Sequence, residues 1–206
     1  MARETLLTGG SGLLGRELQK HIQVDAPSHK EFDITCPQRR GEYGLIIHAA
    51  AYTNVAKAET EREECFEVNV QGTHKLLLAY PDTPFVYISS EYAHKPVNFY
   101  SITKLGAEEV VKTKSDKYLI IRTLFKPTPF PFNRAFADQY TQGDYVDVIA
   151  PLMVDAIYKW DRQTCKTIYV GTGRKTMLEL AERTRPFVIP NSIKDIKNVT
   201  IPADYE

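Results

Sequence analysis

The chain contains 206 residues, and its 26 lysines and arginines balance its 26 aspartates and glutamates, so the net charge is zero at pH 7. This balance excludes the strong basic field that attracts nucleic acids and anionic membranes, so we expect neither as a partner. Hydrophobic residues make up 43% of the chain and charged residues 25%, which is typical of a globular protein with a packed core.

The three cysteines, Cys36, Cys65 and Cys165, have no spacing typical of a metal site. Their odd number indicates free thiols in a reducing compartment. The sequence has no apolar run as long as a membrane span, and it begins with a predicted strand rather than a signal peptide. We therefore expect a cytoplasmic protein without a bound metal.

The first predicted elements are a strand over residues 2–8 and a helix over residues 13–22, joined by a glycine loop. Gly9 can turn sharply off the strand, Gly12 lets a pyrophosphate approach the backbone, and Gly15 lets the helix pack closely on the strand. Unpaired amides at the start of the helix favour an anion there. The pattern predicts a dinucleotide site, and the alternative is an ordinary glycine-rich turn of an α/β protein.

A short strand is predicted at residues 22–26, and KEFDIT follows at 30–35. In a dinucleotide-binding fold the end of the second strand meets the adenosine ribose, where an acidic side chain favours NAD and basic groups suit NADP. Ser28, His29 and Lys30 stand near that point, whereas Asp25 comes early for this role. The sequence thus favours NADP(H), with NAD(H) possible; the alternative is that these are only solvated loop residues.

Further along the chain, predicted strands and helices alternate up to residue 125. The strands are predicted at residues 43–51, which contain LIIHAAA, at 84–90 and at 117–125, and the helices at 59–80 and 99–114. This alternation predicts an α/β fold, a Rossmann-type doubly wound parallel sheet with helices on both faces. Ligands bind such sheets at the carboxyl ends of the strands, where we expect four stretches to meet: 9–15, 49–52, 89–91 and 122–125.

Two polar residues lie within these apolar elements. Asn69 is a poor helix former in the middle of the helix predicted at 59–80, and we interpret it as a capped kink or a surface residue. His48 follows LII in a predicted buried strand, and we prefer a hydrogen-bonded buried histidine to a catalytic one.

The chain changes character at residue 126, where KPTPFPFN predicts an irregular, extended segment. Its Phe130 and Phe132 could form part of a nucleotide pocket by stacking, or could cover the edge of the sheet. Later predictions are a helix at 145–160, a strand at 166–170, a helix at 176–183 with a capping box from Thr176 to Glu179, and an extended tail at 186–206. We expect an NAD(P)-binding domain over residues 1–125 and a small C-terminal substrate-binding lobe over residues 126–206.

Ser90, Tyr100 and Lys104 are typical of a carbonyl reductase. A carbonyl that accepts hydride needs a proton, and a tyrosine can supply it if its pKa is lowered. A lysine one helical turn away stabilises the phenolate and can hold the nicotinamide ribose, while a serine hydroxyl orients the carbonyl. Among the twelve tyrosines, only Tyr100 has a lysine four residues later. The alternative for this pair is an ordinary polar helix face.

Several motifs occur in the order typical of one family: TGGSGLLG, EFDIT, AAAYT followed by KAE, VNVQGT, YISSEY, YSITKLGAEE, IIRT and VGTGRKTMLELAERTRP. With these motifs, the chain resembles the extended short-chain dehydrogenase/reductase superfamily. Within it, the chain is most similar to the nucleotide-sugar 4-ketoreductase branch that includes the dTDP-4-dehydrorhamnose reductases, in a shortened form.

The resemblance implies roles for residues at matching positions. Tyr100 would be the proton donor, Lys104 its partner and Ser90 the hydroxyl that orients the carbonyl. The cofactor-binding set would be Gly9, Ser11, Gly12, Leu13, Leu14, Gly15, His29, Asp33, Ile34, Ala49, Ala50, Ala51, Tyr52, Ser89 and Lys104. Within it, the pyrophosphate would touch the residues from Gly12 to Leu14, adenine would touch Asp33 and Ile34, and the nicotinamide side would be lined by residues 50–52. The substrate would contact Ser90, Glu91, Tyr100 and Phe125.

The resemblance also implies an activity, an NAD(P)H-dependent reduction of a nucleotide-diphospho-4-keto-6-deoxy sugar, with a homodimer as a possible assembly. The chain departs from the family at His48, where asparagine is usual, and at Ala56, where aspartate is usual. Its segment between Ser90 and Tyr100 and its C-terminal lobe are short, so we expect a reduced sugar pocket. The alternatives are an epimerase or dehydratase on the same scaffold, and a non-catalytic NAD(P)-binding regulatory subunit.

Overall fold

The computed structural model describes residues 4–205, so the first two positions of the strand predicted at 2–8 lie outside the described residues. The strands in chain order are β1 (Thr5–Thr8), β2 (Leu45–His48), β3 (Phe85–Ser90), β4 (Tyr118–Thr123), β5 (Phe125–Lys126), β6 (Arg134–Phe136), β7 (Tyr140–Thr141), β8 (Asp144–Tyr145), β9 (Lys166–Tyr169), β10 (Lys175–Thr176) and β11 (Ile189–Asn191). The α-helices are α1 (Leu13–Leu18), α2 (Arg62–Phe66), α3 (Thr73–Ala79), α4 (Phe99–Lys114), α5 (Val146–Lys159) and α6 (Met177–Glu182).

A five-stranded parallel sheet with the order β1-β2-β3-β4-β9 forms the centre of the molecule. On the other side of β1, Asp25 forms a single parallel bridge with Leu6. The chain thus extends from β1 in both directions, which confirms the predicted doubly wound α/β fold. The strand predicted at 22–26 is reduced to this bridge at Asp25. Two residues later comes Pro27, which cannot donate a backbone hydrogen bond.

Neighbouring residues of the central strands point to opposite faces, and both faces are covered. Leu7 belongs to a core cluster with α1 and α5, and this cluster includes Trp160. Leu6 belongs to a second cluster with α3 and α4, together with Val111. Burial on both faces explains why these strands are continuous apolar runs.

The helix predicted at 59–80 is divided into shorter pieces. After a 3₁₀ turn at Lys57–Glu59 and helix α2, a π-helical segment, Glu67–Gly72, precedes α3. Asn69 lies in this segment and is almost fully buried, so its interpretation as a surface residue is wrong, whereas the helix is irregular at this point, as the alternative of a kink expected. A π-helical turn is wider than an α-helical turn, and such turns often occur at functional sites. Helix α1 also ends early, at Leu18 instead of residue 22.

The expected lobe at 126–206 contributes part of the central sheet, so the sheet does not end at residue 125. Helix α5 packs on α1, and β9 pairs with β4 from Leu119↔Lys166 to Arg122↔Tyr169. The rest of the lobe consists of two-stranded pairs, β5 with β8, β6 with β11 and β7 with β10. Its own small core contains Phe130, Tyr145 and Leu180. Helix α6 has the predicted capping box, in which Thr176 and Glu179 bond reciprocally.

Candidate active site

A cavity of about 790 Å³ opens at the carboxyl edge of the central sheet, between the strand ends and the lobe. The residues after β1 and β2, the end of β3 and the start of α4 form one part of its wall. The segment that follows β4 forms the other part. The four stretches expected to meet at this edge all contribute to the wall. Within residues 4–205 no group of three or more histidine, cysteine, aspartate or glutamate side chains is arranged to hold a metal ion, and no helix is long and apolar enough to cross a membrane.

The glycine loop after β1 has a conformation that larger residues would disturb. Gly9 has a φ of 75°, and a Cβ on it would lie 2.6 Å from the backbone nitrogen of Ala50. A Cβ on Gly15 would lie 2.1 Å from the Gly9 carbonyl oxygen. Gly12 donates its N–H to that same oxygen at 3.0 Å and precedes α1 without any side-chain cap. The tight loop therefore leaves backbone amides at the cavity wall, where a pyrophosphate can be held.

The cavity brings together most of the residues predicted from the sequence. On its wall lie Gly9, Ser11, Gly12, Leu13, Leu14, Gly15, His29, Asp33, Ile34, Ala49, Ala50, Ala51, Tyr52, Ser89, Ser90, Tyr100 and Phe125. Two predicted residues, Lys104 and Glu91, are not on the wall. Stretches far apart in sequence therefore converge on one site, with the glycine loop at one end and Phe125 beyond the end of β4.

Ser90 and Tyr100 form a hydroxyl pair on the wall. Ser90 is the last residue of β3, and Tyr100 lies in the first turn of α4, whose N-terminus is fixed by a capping box between Asn98 and Ser101. The Ser90 hydroxyl lies close to the Tyr100 phenol. Burial raises the pKa of Tyr100 to about 12, and the Ser90 hydroxyl opposes this rise. The phenol is therefore protonated at neutral pH, but its pKa is not lowered as expected of the proton donor, because burial outweighs the effect of Ser90.

Lys104 lies one turn after Tyr100 on α4 but behind the cavity wall, with 2% of its surface exposed. Its Nζ donates to the Ile88 carbonyl at 2.8 Å and lies 4.3 Å from the centre of the Tyr87 ring. Burial lowers the pKa of Lys104 to about 7, and the Glu108 carboxylate opposes this change. The ammonium is thus held by the protein itself and does not reach the cavity as the expected ribose contact would require.

Glu91 also differs from the expected substrate contact. Its carboxylate is buried and accepts hydrogen bonds from the Thr141 hydroxyl at 2.6 Å and the Gln142 amide at 3.1 Å. Burial raises the pKa of Glu91, and these two bonds oppose the rise. The side chain therefore ties the end of β3 to β7 in the lobe instead of lining the cavity.

His48 and Asn69 connect elements around the wall. The predicted buried, hydrogen-bonded histidine is confirmed: His48 Nδ1 lies 2.6 Å from the Thr8 hydroxyl, and Nε2 lies 3.0 Å from the Thr73 hydroxyl. Burial lowers the pKa of His48 to about 3, so the ring is neutral. Asn69 bonds both backbone groups of Tyr52, at 2.8 and 3.1 Å, and thereby fixes a wall residue. Its presence within a predicted helix was the signal that could have identified this role.

At the adenosine end expected from the sequence, His29 and Asp33 lie on the wall. Asp25 is not on the wall, because its carboxylate accepts a hydrogen bond from the Tyr43 hydroxyl and lies 3.9 Å from Arg40. This part of the wall therefore offers the His29 imidazole and, 3.9 Å from it, the Asp33 carboxylate, while the earlier acidic residue is engaged elsewhere.

The sequence did not identify several wall residues. Among them are Lys126 in the segment after β4 and Tyr92 after β3. The only signal for Lys126 was its position directly after Phe125. Phe132 lines the cavity with 56% of its surface exposed, where stacking on a nucleotide would require it, whereas Phe130 is buried in the lobe core and does not cover the edge of the sheet.

Comparison with known proteins gives one family. The model described as the RmlD substrate binding domain matches residues 3–185. A probable dTDP-4,6-dihydroxy-2-methyloxan-3-one 4-ketoreductase of Streptomyces antibioticus is 26% identical over 175 residues, which cover 70% of this chain and 59% of that protein. A dTDP-4-dehydrorhamnose reductase of Mycolicibacterium smegmatis is 32% identical over 149 residues, 58% of this chain and 45% of that one. The chain thus spans about half the length of the curated relatives it matches.

Solved structures show the same fold. The crystal structure of dTDP-4-dehydrorhamnose reductase from Bacillus anthracis str. Ames in complex with NADP has a TM-score of 0.81 at 24% identity, covering 100% of this chain and 89% of that one. A dTDP-4-dehydrorhamnose reductase from Clostridium acetobutylicum has a TM-score of 0.83 at 21% identity, covering 98% of this chain and 89% of that one.

Proposed function

Since the chain belongs to the family of the RmlD substrate binding domain, we propose that it is an NADP(H)-dependent reductase of a nucleotide-diphospho-4-keto-6-deoxy sugar. The observation that carries this proposal is that Ser90 and Tyr100 lie together on the wall of the cavity that the glycine loop also lines. A hydroxyl pair beside a dinucleotide site is the arrangement that carbonyl reduction needs.

The residues present fit a dinucleotide. The glycine loop leaves no room for a Cβ at Gly9 or Gly15, and the amides at the start of α1 would hold the pyrophosphate. His29 would stand near the adenosine ribose, which suits NADP(H), and a similar structure from Bacillus anthracis str. Ames contains NADP. When bound, the cofactor supplies a hydride to the carbonyl carbon of the substrate.

The side chains of this protein would supply the proton. As negative charge develops on the carbonyl oxygen, the Tyr100 hydroxyl transfers its proton to that oxygen, while the Ser90 hydroxyl donates its own hydrogen bond to the same oxygen and orients the carbonyl. Lys104 lies one turn further along α4 and is buried behind the wall. Its positive charge would favour the ionised tyrosine.

The substrate class comes from the relatives, whose names specify reductases of dTDP-linked keto sugars. The short connection between Ser90 and Tyr100 leaves less protein over the substrate than is usual in the family. The proposal keeps two expectations from the sequence, a cytoplasmic location and a homodimer as a possible assembly.

The test is NADPH oxidation by the purified protein, with and without a dTDP-4-keto-6-deoxy sugar. Tyr100→Phe is expected to lower kcat about 10²- to 10⁴-fold, because the proton donor is lost. Its affinity for NADP⁺ should stay unchanged. Tyr158→Phe is the matched control, since Tyr158 is exposed on α5 and should keep full activity.

Substrate-dependent oxidation that persists in Tyr100→Phe would contradict the proposed mechanism. Binding of NADP⁺ without oxidation of NADPH by any keto-sugar nucleotide would favour the regulatory-subunit alternative instead. One structural observation agrees with that alternative, namely that Lys104 is held by the Ile88 carbonyl and does not reach the cavity.

A further inference from the structure

Lys126 differs from the other partly or fully buried lysines near the site. Lys104 donates to a carbonyl, and Lys175 donates to the Gly143 carbonyl and lies 3.6 Å from Asp144. The half-buried Lys126, on the cavity wall, has no ion pair or side-chain hydrogen bond within residues 4–205. Burial alone lowers the pKa of Lys126. Because a desolvated ammonium without a partner costs free energy, this side chain is suited to receive an anion.

Phe132 lies beside this ammonium. The Lys126 Nζ is 5.9 Å from the centre of the Phe132 ring, which is within the range of a cation–π contact. Phe132 also packs edge-on against the buried Phe130, with ring centres 5.8 Å apart and an angle of 77°. The ring is therefore supported by the lobe core although more than half of it is exposed. A supported aromatic face on a cavity wall can stack with a planar base.

Lys126 and Phe132 are far from the glycine loop. Ser90 pairs with Thr123 across β3 and β4, and Lys126 follows Thr123 by three residues. The loop follows β1, which is three strands away from β4. At about 4.8 Å per strand the two places are about 14 Å apart across the sheet. One pyrophosphate cannot contact both, so Lys126 lies at the substrate end of the cavity.

We propose that Lys126 and Phe132 form the binding site for the nucleotide part of the substrate, with the ammonium on a phosphate oxygen and the ring against the base. The inference rests on the proposed function and specifies how that substrate is recognised. The contact between Lys126 and Phe132 holds the ammonium at the wall until the phosphate binds. A sugar without its nucleoside diphosphate would lack both contacts.

The test is calorimetric titration of the protein, saturated with NADP⁺, with dTDP and separately with thymidine. Lys126→Met is expected to weaken dTDP binding about ten- to hundredfold, because a charge-assisted hydrogen bond is lost, and to leave thymidine binding unchanged. Lys126→Arg should retain most of the affinity. Phe132→Leu should weaken both ligands. Lys114→Met, which removes the same charge at the far end of α4, is the matched control and should bind dTDP as the wild type does.

Three results would decide the matter. Loss of dTDP affinity in Lys126→Met but not in Lys114→Met, with normal NADP⁺ binding, supports the site. Equal dTDP affinity in wild type and Lys126→Met overturns it, as does a wild-type protein that binds NADP⁺ but no nucleoside diphosphate. Because NADP⁺ binding and NADPH oxidation are measured separately, failure of this site is distinguishable from failure of the reductase proposal.

Discussion

Replacement of Lys104 by methionine should remove a pH dependence from the stability of the protein. Burial lowers the pKa of Lys104 to about 7 from its ordinary value of 10.5. Between these two values the unfolded chain keeps a proton that the folded chain has released. The unfolded state is thus the one that binds more protons, so the free energy of unfolding rises as the pH increases through this interval.

The magnitude follows from one proton. A difference of one bound proton changes the free energy of unfolding by about 1.4 kcal/mol per pH unit. From about pH 7.5 to about pH 9.5 the contribution of Lys104 is therefore roughly 2.5 kcal/mol. The charge of Glu108 acts against the lowered pKa of Lys104.

Urea denaturation at several pH values measures this effect, with fluorescence of Trp160 as the signal. Trp160 is the only tryptophan and is buried in the core between the sheet and α5. The rise should occur in the wild type and in the surface variant Lys114→Met, and should be smaller in Lys104→Met, where the lowered pKa of Lys126 still contributes. If Lys104→Met keeps the wild-type pH profile, the reasoning about the buried amine is refuted.

Three further predictions concern the loop, the lobe and the buried histidine. Gly15→Ala should lower NADP⁺ affinity at least about tenfold in a fluorescence titration, because its Cβ meets the Gly9 carbonyl oxygen at 2.1 Å, whereas Gly41→Ala, with nothing within 4 Å, should bind normally. Glu91→Ala should lower the free energy of unfolding by about 2 kcal/mol in urea, because it leaves buried donors of the lobe unpaired. His48→Gln should lessen the loss of stability below pH 6.5, because the wild-type unfolded chain binds a proton there that the folded His48, with its pKa of about 3, does not.

Each of these predictions has a contradicting result. Normal NADP⁺ affinity in Gly15→Ala would mean that the loop adapts to a Cβ. An unchanged denaturation midpoint in Glu91→Ala would show that the lobe does not depend on this carboxylate. An acid-unfolding profile in His48→Gln identical to that of the wild type would mean that other groups control stability in this range.

The sequence predicted the sheet and the place of the site because these depend on local patterns. Apolar runs such as LIIH form strands buried on both faces, and the glycine spacing after β1 reflects a steric requirement at Gly9 and Gly15. The Thr176 capping box predicted the start of α6 for the same reason, since its hydrogen bonds join residues three apart.

The sequence could not predict features that depend on distant partners. Lys104 is behind the wall because the Ile88 carbonyl accepts from it, and Glu91 faces the lobe because of Thr141, fifty residues away. The π-helical segment around Asn69 depends on contacts with Tyr52 and Thr103. Strand β9 pairs with β4, which lies more than forty residues earlier in the chain. The change in composition at residue 126 therefore does not mark the end of the sheet.

The pairing of β4 with β9 makes the lobe segment between them an insertion whose two ends are held by the same sheet. Residues 124–145 leave the sheet after β4, and α5 carries the chain back to β9. Because the cost of closing a loop grows only by about 0.6 kcal/mol for each doubling of its length, this excursion can change in size with little effect on the sheet. Lys126 and Phe132 both belong to it. The architecture therefore keeps the cofactor-binding sheet apart from the segment that carries Lys126 and Phe132. An exchange of residues 124–145 between relatives should include β10 and β11, which pair with β7 and β6 of this segment.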